Sequence, residues 1–120
     1  MLILLTYETN HNSKSKNGSL RYLVKSATDK GWKMMAIGDG NKWIGFGQKT
    51  IALMKILKNL IKEYGKDVVV VVTDARDVIC NRSPRSFLRN FDKVRQNRRI
   101  VFGSEIGCCV PPMYLYEPGS

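Results

Sequence analysis

Asp74 and Asp77 stand three residues apart at the end of an apolar run, in VVVVVTDARDVICN, residues 68 to 81. A buried strand that carries carboxylates to its own end offers them to whatever binds there. In an extended strand, residues i and i+3 point to opposite faces. The two aspartates therefore share a ligand only if the chain turns at Asp74, where the apolar run stops. Two carboxylates so placed suit a hard divalent cation that also takes phosphate oxygens. The same spacing allows a plainer arrangement, in which Asp74 caps a turn and Asp77 pairs with Arg76 or Arg82.

Lys49 is the next candidate. It lies in GFGQKT, which has the look of a phosphate loop but not its pattern, because Gln48 rather than glycine precedes the lysine. What remains is a glycine-bearing turn that opens a helix with a lysine in its first turn. Backbone donors, the helix N-terminus and Lys49 suit a diphosphate, and a lysine on an exposed helix surface is the alternative. Trp43, beside a glycine turn, is placed either to stack on a ligand or to pack. Trp32 reads as core, and His11, the single histidine, sits in a polar loop and faces solvent.

Composition narrows the partners. The 120 residues carry 20 Lys and Arg against 10 Asp and Glu, a formal charge of +10, which favours anionic ligands. Arg82, Arg85, Arg89, Lys93, Arg95, Arg98 and Arg99 crowd one segment with only Asp92 among them, either as a site for an anionic partner or as a solvated face that keeps the protein soluble. Phe87 and Phe91 have helical spacing there and do not interleave as base-stacking platforms do, so no specific nucleic-acid site is expected. Cys80, Cys108 and Cys109 make an odd count without paired C-x-x-C spacing, which predicts reduced thiols rather than a disulfide framework or structural zinc. No stretch reaches the roughly 18 apolar residues of a membrane span. The start, MLILLTYE, turns polar after five residues without a basic leader and reads as a strand, not a signal peptide. A cytoplasmic protein or a part of a larger one is expected.

The elements that must position these residues alternate. Strands are expected over Leu2 to Glu8, Trp32 to Ile37, Asp67 to Thr73 and Arg99 to Ser104. Helices are expected over Ser19 to Lys30, Gln48 to Tyr64, and from Ser83-Pro84 through Phe91. In the second helix Leu53, Met54, Leu57, Leu60, Ile61 and Tyr64 form an apolar stripe opposite Lys55, Lys58 and Lys62. The valines of the third strand do not alternate with polar residues, which predicts cover on both faces, as in the middle of a parallel sheet. The order βαβαβαβ implies a single α/β domain over residues 1–120, an open, mostly parallel, Rossmann-like sheet flanked by helices. Ligands of such sheets bind beyond the carboxyl ends of the strands. That edge gathers Thr6 and Glu8, Gly38 to Trp43, Asp74 and Asp77, and Ser104 and Glu105.

Taken in order, LLTYET, LRYLVKSA, IGDGNKW followed by GFGQK, TDARDVI with NRSP behind it, and FGSE before a cysteine and a proline resemble the glycosyltransferase domain of the procollagen lysyl hydroxylases. The resemblance is colinear across nearly the whole chain. It implies a GT-A fold, a Mn²⁺ cofactor and a UDP-sugar donor, with transfer to a hydroxylysine-linked or other glycan acceptor of collagen type. Asp74 and Asp77 match the D-x-x-D manganese ligands of that family, and Thr6, Trp43 and Lys49 match positions that contact the UDP-sugar. The cation would then stabilise departing UDP with help from Lys49. Arg76 stands where the family usually has an aromatic residue on the uracil, a place from which an arginine could also stack on the base or shift nucleotide preference. Val110 replaces a family tryptophan, and the linker from Trp43 to GFGQK is shorter. The family draws a histidine as third metal ligand, and its acceptor pocket, from a later half. The expectation is therefore an N-terminal, nucleotide-sugar-binding part of a longer domain, with UDP-glucose or UDP-galactose as donor. Glu105 is the one spare carboxylate offered as a catalytic candidate. A basic nucleic-acid-binding module and a catalytically idle nucleotide-sugar-binding domain are the alternatives.

Overall fold

A computed structural model describes residues 1–12 and 19–103. The chain forms two compact units, Met1–Arg89 and Asn90–Ser120. The first contains a three-stranded parallel sheet built from β1 (Leu2–Tyr7), β2 (Lys33–Ile37) and β3 (Val69–Thr73), in the order β2-β1-β3. Register runs from Ile3 opposite Lys33 to Tyr7 opposite Ile37 on one side, and from Leu2 opposite Val69 to Thr6 opposite Thr73 on the other. The α/β class and the parallel sheet expected from the sequence are both present.

β1 is the middle strand and is buried along its whole length. One face carries Leu4, which packs with Leu20, Leu23 and Ala27 of α1 (Leu20–Asp29) and with Ala75. The other carries Ile3, Leu5 and Tyr7, because side chains alternate along a strand. Right-handed crossovers place α1 and α2 (Phe46–Tyr64) on opposite faces, since the chain steps one way from β1 to β2 and back past β1 to β3. Consistently, Lys33 on β2 donates to the Tyr64 hydroxyl of α2 at 2.6 Å.

The helices begin and end for local reasons. Ser19 caps α1 by accepting from the Arg21 N–H, and Gly31, at φ +80°, ends its last turn. α2 starts two residues earlier than its stripe alone indicates. Gly45, at φ +129°, turns the chain, and the Gln48 side chain reaches back to accept from the Ile44 N–H at 3.1 Å. Gly65 closes α2 by donating to the Ile61 carbonyl. In α3 (Pro84–Arg95) the Ser83 hydroxyl accepts from the Ser86 N–H, and Trp32 meets Phe87 edge-on at 5.5 Å. The boundary between the two units falls within α3.

Three expectations are corrected. The third strand was expected to be covered on both faces, as in the middle of a parallel sheet; β3 lies at an edge among the described residues, and its Val72 is 45 % exposed. A non-alternating apolar run reports on the two faces of a strand and is silent about its lateral neighbours. The fourth strand is not formed over residues 99–103, where Ile100, Val101 and Phe102 are exposed; β propensity without a pairing partner does not make a strand. In the α2 stripe Leu60 is buried, whereas Met54 and Ile61 are exposed among the described residues.

Candidate functional site

The strand order reverses at β1, so the carboxyl ends of β1 and β3 flank a crevice, the usual place for a ligand in an open α/β sheet. A cavity of about 290 Å³ lies there, lined by Tyr7, Glu8, Trp43, Lys49, Asp74, Ala75, Arg76 and Asp77. Three sequence-distant segments meet in it. Tyr7 and Glu8 come from the end of β1, Trp43 and Lys49 from the loop and first turn of α2, and residues 74–77 from the bend after β3.

The bend explains how two aspartates three apart face one space. β3 ends at Thr73, and Ala75 turns inward to join the core at 5 % exposure. With that small residue buried, Asp74, Arg76 and Asp77 are left outward, and all three line the cavity. The turn required of the chain at Asp74 is therefore present.

The charges are arranged unequally. Lys49 Nζ donates to Asp74 Oδ1 at 2.9 Å. Arg76 grips Glu8 with both Nε and an Nη nitrogen, each at 2.8 Å, a bidentate pair. Glu8 also accepts from the Asn10 N–H, and its own backbone N–H donates to the Ile37 carbonyl, tying the end of β1 to β2. Its carboxyl is held below the usual range chiefly by the hydrogen bond from Arg76, against the opposing effect of burial; the same bond raises Arg76. Among the described residues no hydrogen bond or ion pair engages Asp77. Arg76 thus pairs with Glu8, and neither arginine of the plainer reading pairs with Asp77.

Of the residues singled out from the sequence, Trp43, Lys49, Asp74, Arg76 and Asp77 come together in the cavity. Thr6 does not line it; its hydroxyl is fully buried and donates to the Thr73 carbonyl at 2.7 Å, joining β1 to β3. Glu105, Cys108, Cys109 and Val110 lie outside the described residues, and Cys80 is a free thiol whose pKa is raised mainly by burial. His11 is tied to the glycine turn, its N–H donating to Asp39. Glu8 was placed at the ligand edge without a role, and Tyr7 was not singled out. The signal for Glu8 was a carboxylate directly following a largely apolar strand.

Among the described residues no three His, Cys, Asp or Glu side chains cluster as a metal site. Asp74 and Asp77 supply two hard oxygen donors on one cavity, which fits a cation that completes its shell with water and phosphate. No helix among the described residues is long and apolar enough to cross a membrane.

An open parallel sheet with a charged cavity at its switch point defines an α/β domain of Rossmann-like type. The PLOD GT domain family matches residues 2–117, and the chain belongs to that family. It is 34 % identical over 112 residues, 87 % of its length, to procollagen-lysine,2-oxoglutarate 5-dioxygenase 1 of Pongo abelii. It is 28 % identical over 117 residues, 89 % of its length, to the multifunctional procollagen lysine hydroxylase and glycosyltransferase of Caenorhabditis elegans. Procollagen-lysine,2-oxoglutarate 5-dioxygenase 2 of Homo sapiens is 28 % identical over 114 residues, 87 % of the chain. The chain spans only 14 % to 15 % of the length of these relatives.

Proposed function

We propose that the chain is the donor-binding part of a Mn²⁺-dependent glycosyltransferase domain, which takes a UDP-sugar, UDP-glucose or UDP-galactose. The acceptor is a hydroxylysine-linked or other glycan on a collagen-like protein. One observation carries this reading: Trp43, Lys49, Asp74, Arg76 and Asp77, from separate segments, line one cavity at the switch point of the sheet.

The charge arrangement supports metal dependence. Three carboxylates face two cations around the cavity, and both cations are already engaged, Lys49 by Asp74 and Arg76 by Glu8. Among the described residues that line the cavity, a diphosphate entering alone meets Asp77 without a partner and no unengaged cation, so like-charge repulsion opposes it. Asp74 and Asp77 would hold the cation, which when bound supplies Lewis-acid stabilisation of the departing diphosphate. Lys49, freed from Asp74, is placed to donate a charge-assisted hydrogen bond to the same phosphate oxygens. Trp43 offers an aromatic wall, and Arg76 a guanidinium already oriented by Glu8. Thr6 acts through the β1–β3 connection that sets the position of the bend.

Calorimetric titration of UDP with Mn²⁺, and again with chelator, tests the reading. Binding is expected with Mn²⁺ and to be lost with chelator, and Asp77→Asn should abolish most of that difference. Equal affinity in both conditions would refute the metal assignment.

A further inference from the structure

We infer that Tyr7 is a ligand-contacting residue of this cavity, its phenol donating a hydrogen bond to an uncharged oxygen of the nucleoside or hexosyl part of the donor. The inference rests on the nucleotide-sugar reading and adds a residue and a contact to it. Tyr7 is only 6 % exposed, lines the cavity, and its hydroxyl is buried without a hydrogen-bond partner among the described residues. Buried polar atoms are nearly always satisfied, and an orphan calls for a partner. Among the described residues, the other such atoms, on His11 and Thr73, belong to residues that do not line the cavity.

The ring is fixed where it stands. Gly38, at φ +95°, lies against it so closely that a Cβ there would come within 2.7 Å of Cε2 and 2.9 Å of Cζ. Trp43 closes from another side, its ring centroid 6.3 Å away. A phenol held this way cannot swing to solvent for a partner, so the partner must come to it. The charged lining residues are Glu8 and Arg76, which pair with each other, and Lys49, Asp74 and Asp77, whereas the Tyr7 ring makes its contacts with Trp43 and Gly38. An uncharged phenol with uncharged ring contacts suits a hydroxyl, ring or carbonyl oxygen better than a phosphate, for which the cavity offers Lys49.

Tyr7→Phe keeps the ring and removes only the hydroxyl. Its melting temperature is expected to equal or exceed that of the wild type, because an unsatisfied buried group is removed. Affinity for the Mn²⁺–donor complex is expected to fall roughly 3- to 10-fold, the worth of one ordinary hydrogen bond. Titrations with UDP and with UDP-glucose separate the sources: a loss with both places the oxygen on the nucleoside, and a loss with UDP-glucose alone places it on the hexose. Unchanged affinity for both, or a lowered melting temperature that reveals a structural hydrogen bond, overturns the inference and leaves the donor-site reading standing. A wild-type protein that binds neither compound overturns both.

Discussion

Replacing Lys49 by methionine should move two affinities in opposite directions. Lys49 Nζ stands 2.9 Å from Asp74 Oδ1, with the aspartate side chain 69 % exposed and the lysine 23 %. At that exposure the pair is worth about 0.2–1 kcal/mol to the fold, so the variant should melt close to the wild type. A cation that takes Asp74 must displace Lys49, and removing the lysine removes that cost along with a like charge nearby. Mn²⁺ alone should therefore bind about 1.4- to 5-fold more tightly. UDP at saturating Mn²⁺ should bind roughly 10- to 150-fold more weakly, the loss of one charge-assisted hydrogen bond of about 1.5–3 kcal/mol. Isothermal titration of each ligand measures both. Weaker Mn²⁺ binding by the variant, or unchanged UDP affinity, would show that Lys49 is not exchanged between Asp74 and the diphosphate.

Gly38→Ala should destabilise the protein by about 1–3 kcal/mol through positive φ and the collision with Tyr7, and Gly40→Ala by clearly less, because Gly40 shares the positive φ but has open space beside it; equal costs in urea denaturation would remove the steric part of this account. The Glu8 carboxyl is held low by Arg76, so its contribution is complete above the ordinary value of 4.5 and disappears as pH falls through the lowered folded value. Glu8→Gln should thus cost about 1 kcal/mol at pH 7, discounted for a half-exposed Arg76, and flatten the acid limb of stability against pH; an unchanged limb would assign acid sensitivity elsewhere. Arg85, Arg89 and Lys93 of α3 are exposed at helical spacing, so oligonucleotides should bind without sequence preference and ever more weakly as salt rises, whereas a sequence-selective complex at physiological salt would favour a nucleic-acid function.

The sequence by itself determined the α/β class, the order and approximate limits of six elements, and the strand end that carries Asp74 and Asp77. Those features are local: apolar periodicity, a serine cap, stop glycines and an abrupt end to a valine run each act within a few residues. The tertiary structure decided which strand is central, because lateral pairing depends on partners that periodicity does not name, and LILLTY and VVVVT read alike until paired. It also decided who pairs with whom. Arg76 lies one residue from Asp77 in sequence yet bonds Glu8 across 68 positions, and Lys49 reaches Asp74 across 25. Such pairs form because folding brings strand ends and a helix start to one edge, where a charge taken from water needs a partner of opposite sign. The orphaned Tyr7 hydroxyl likewise belongs to the fold, since a residue type states its donors and only packing states whether they are met.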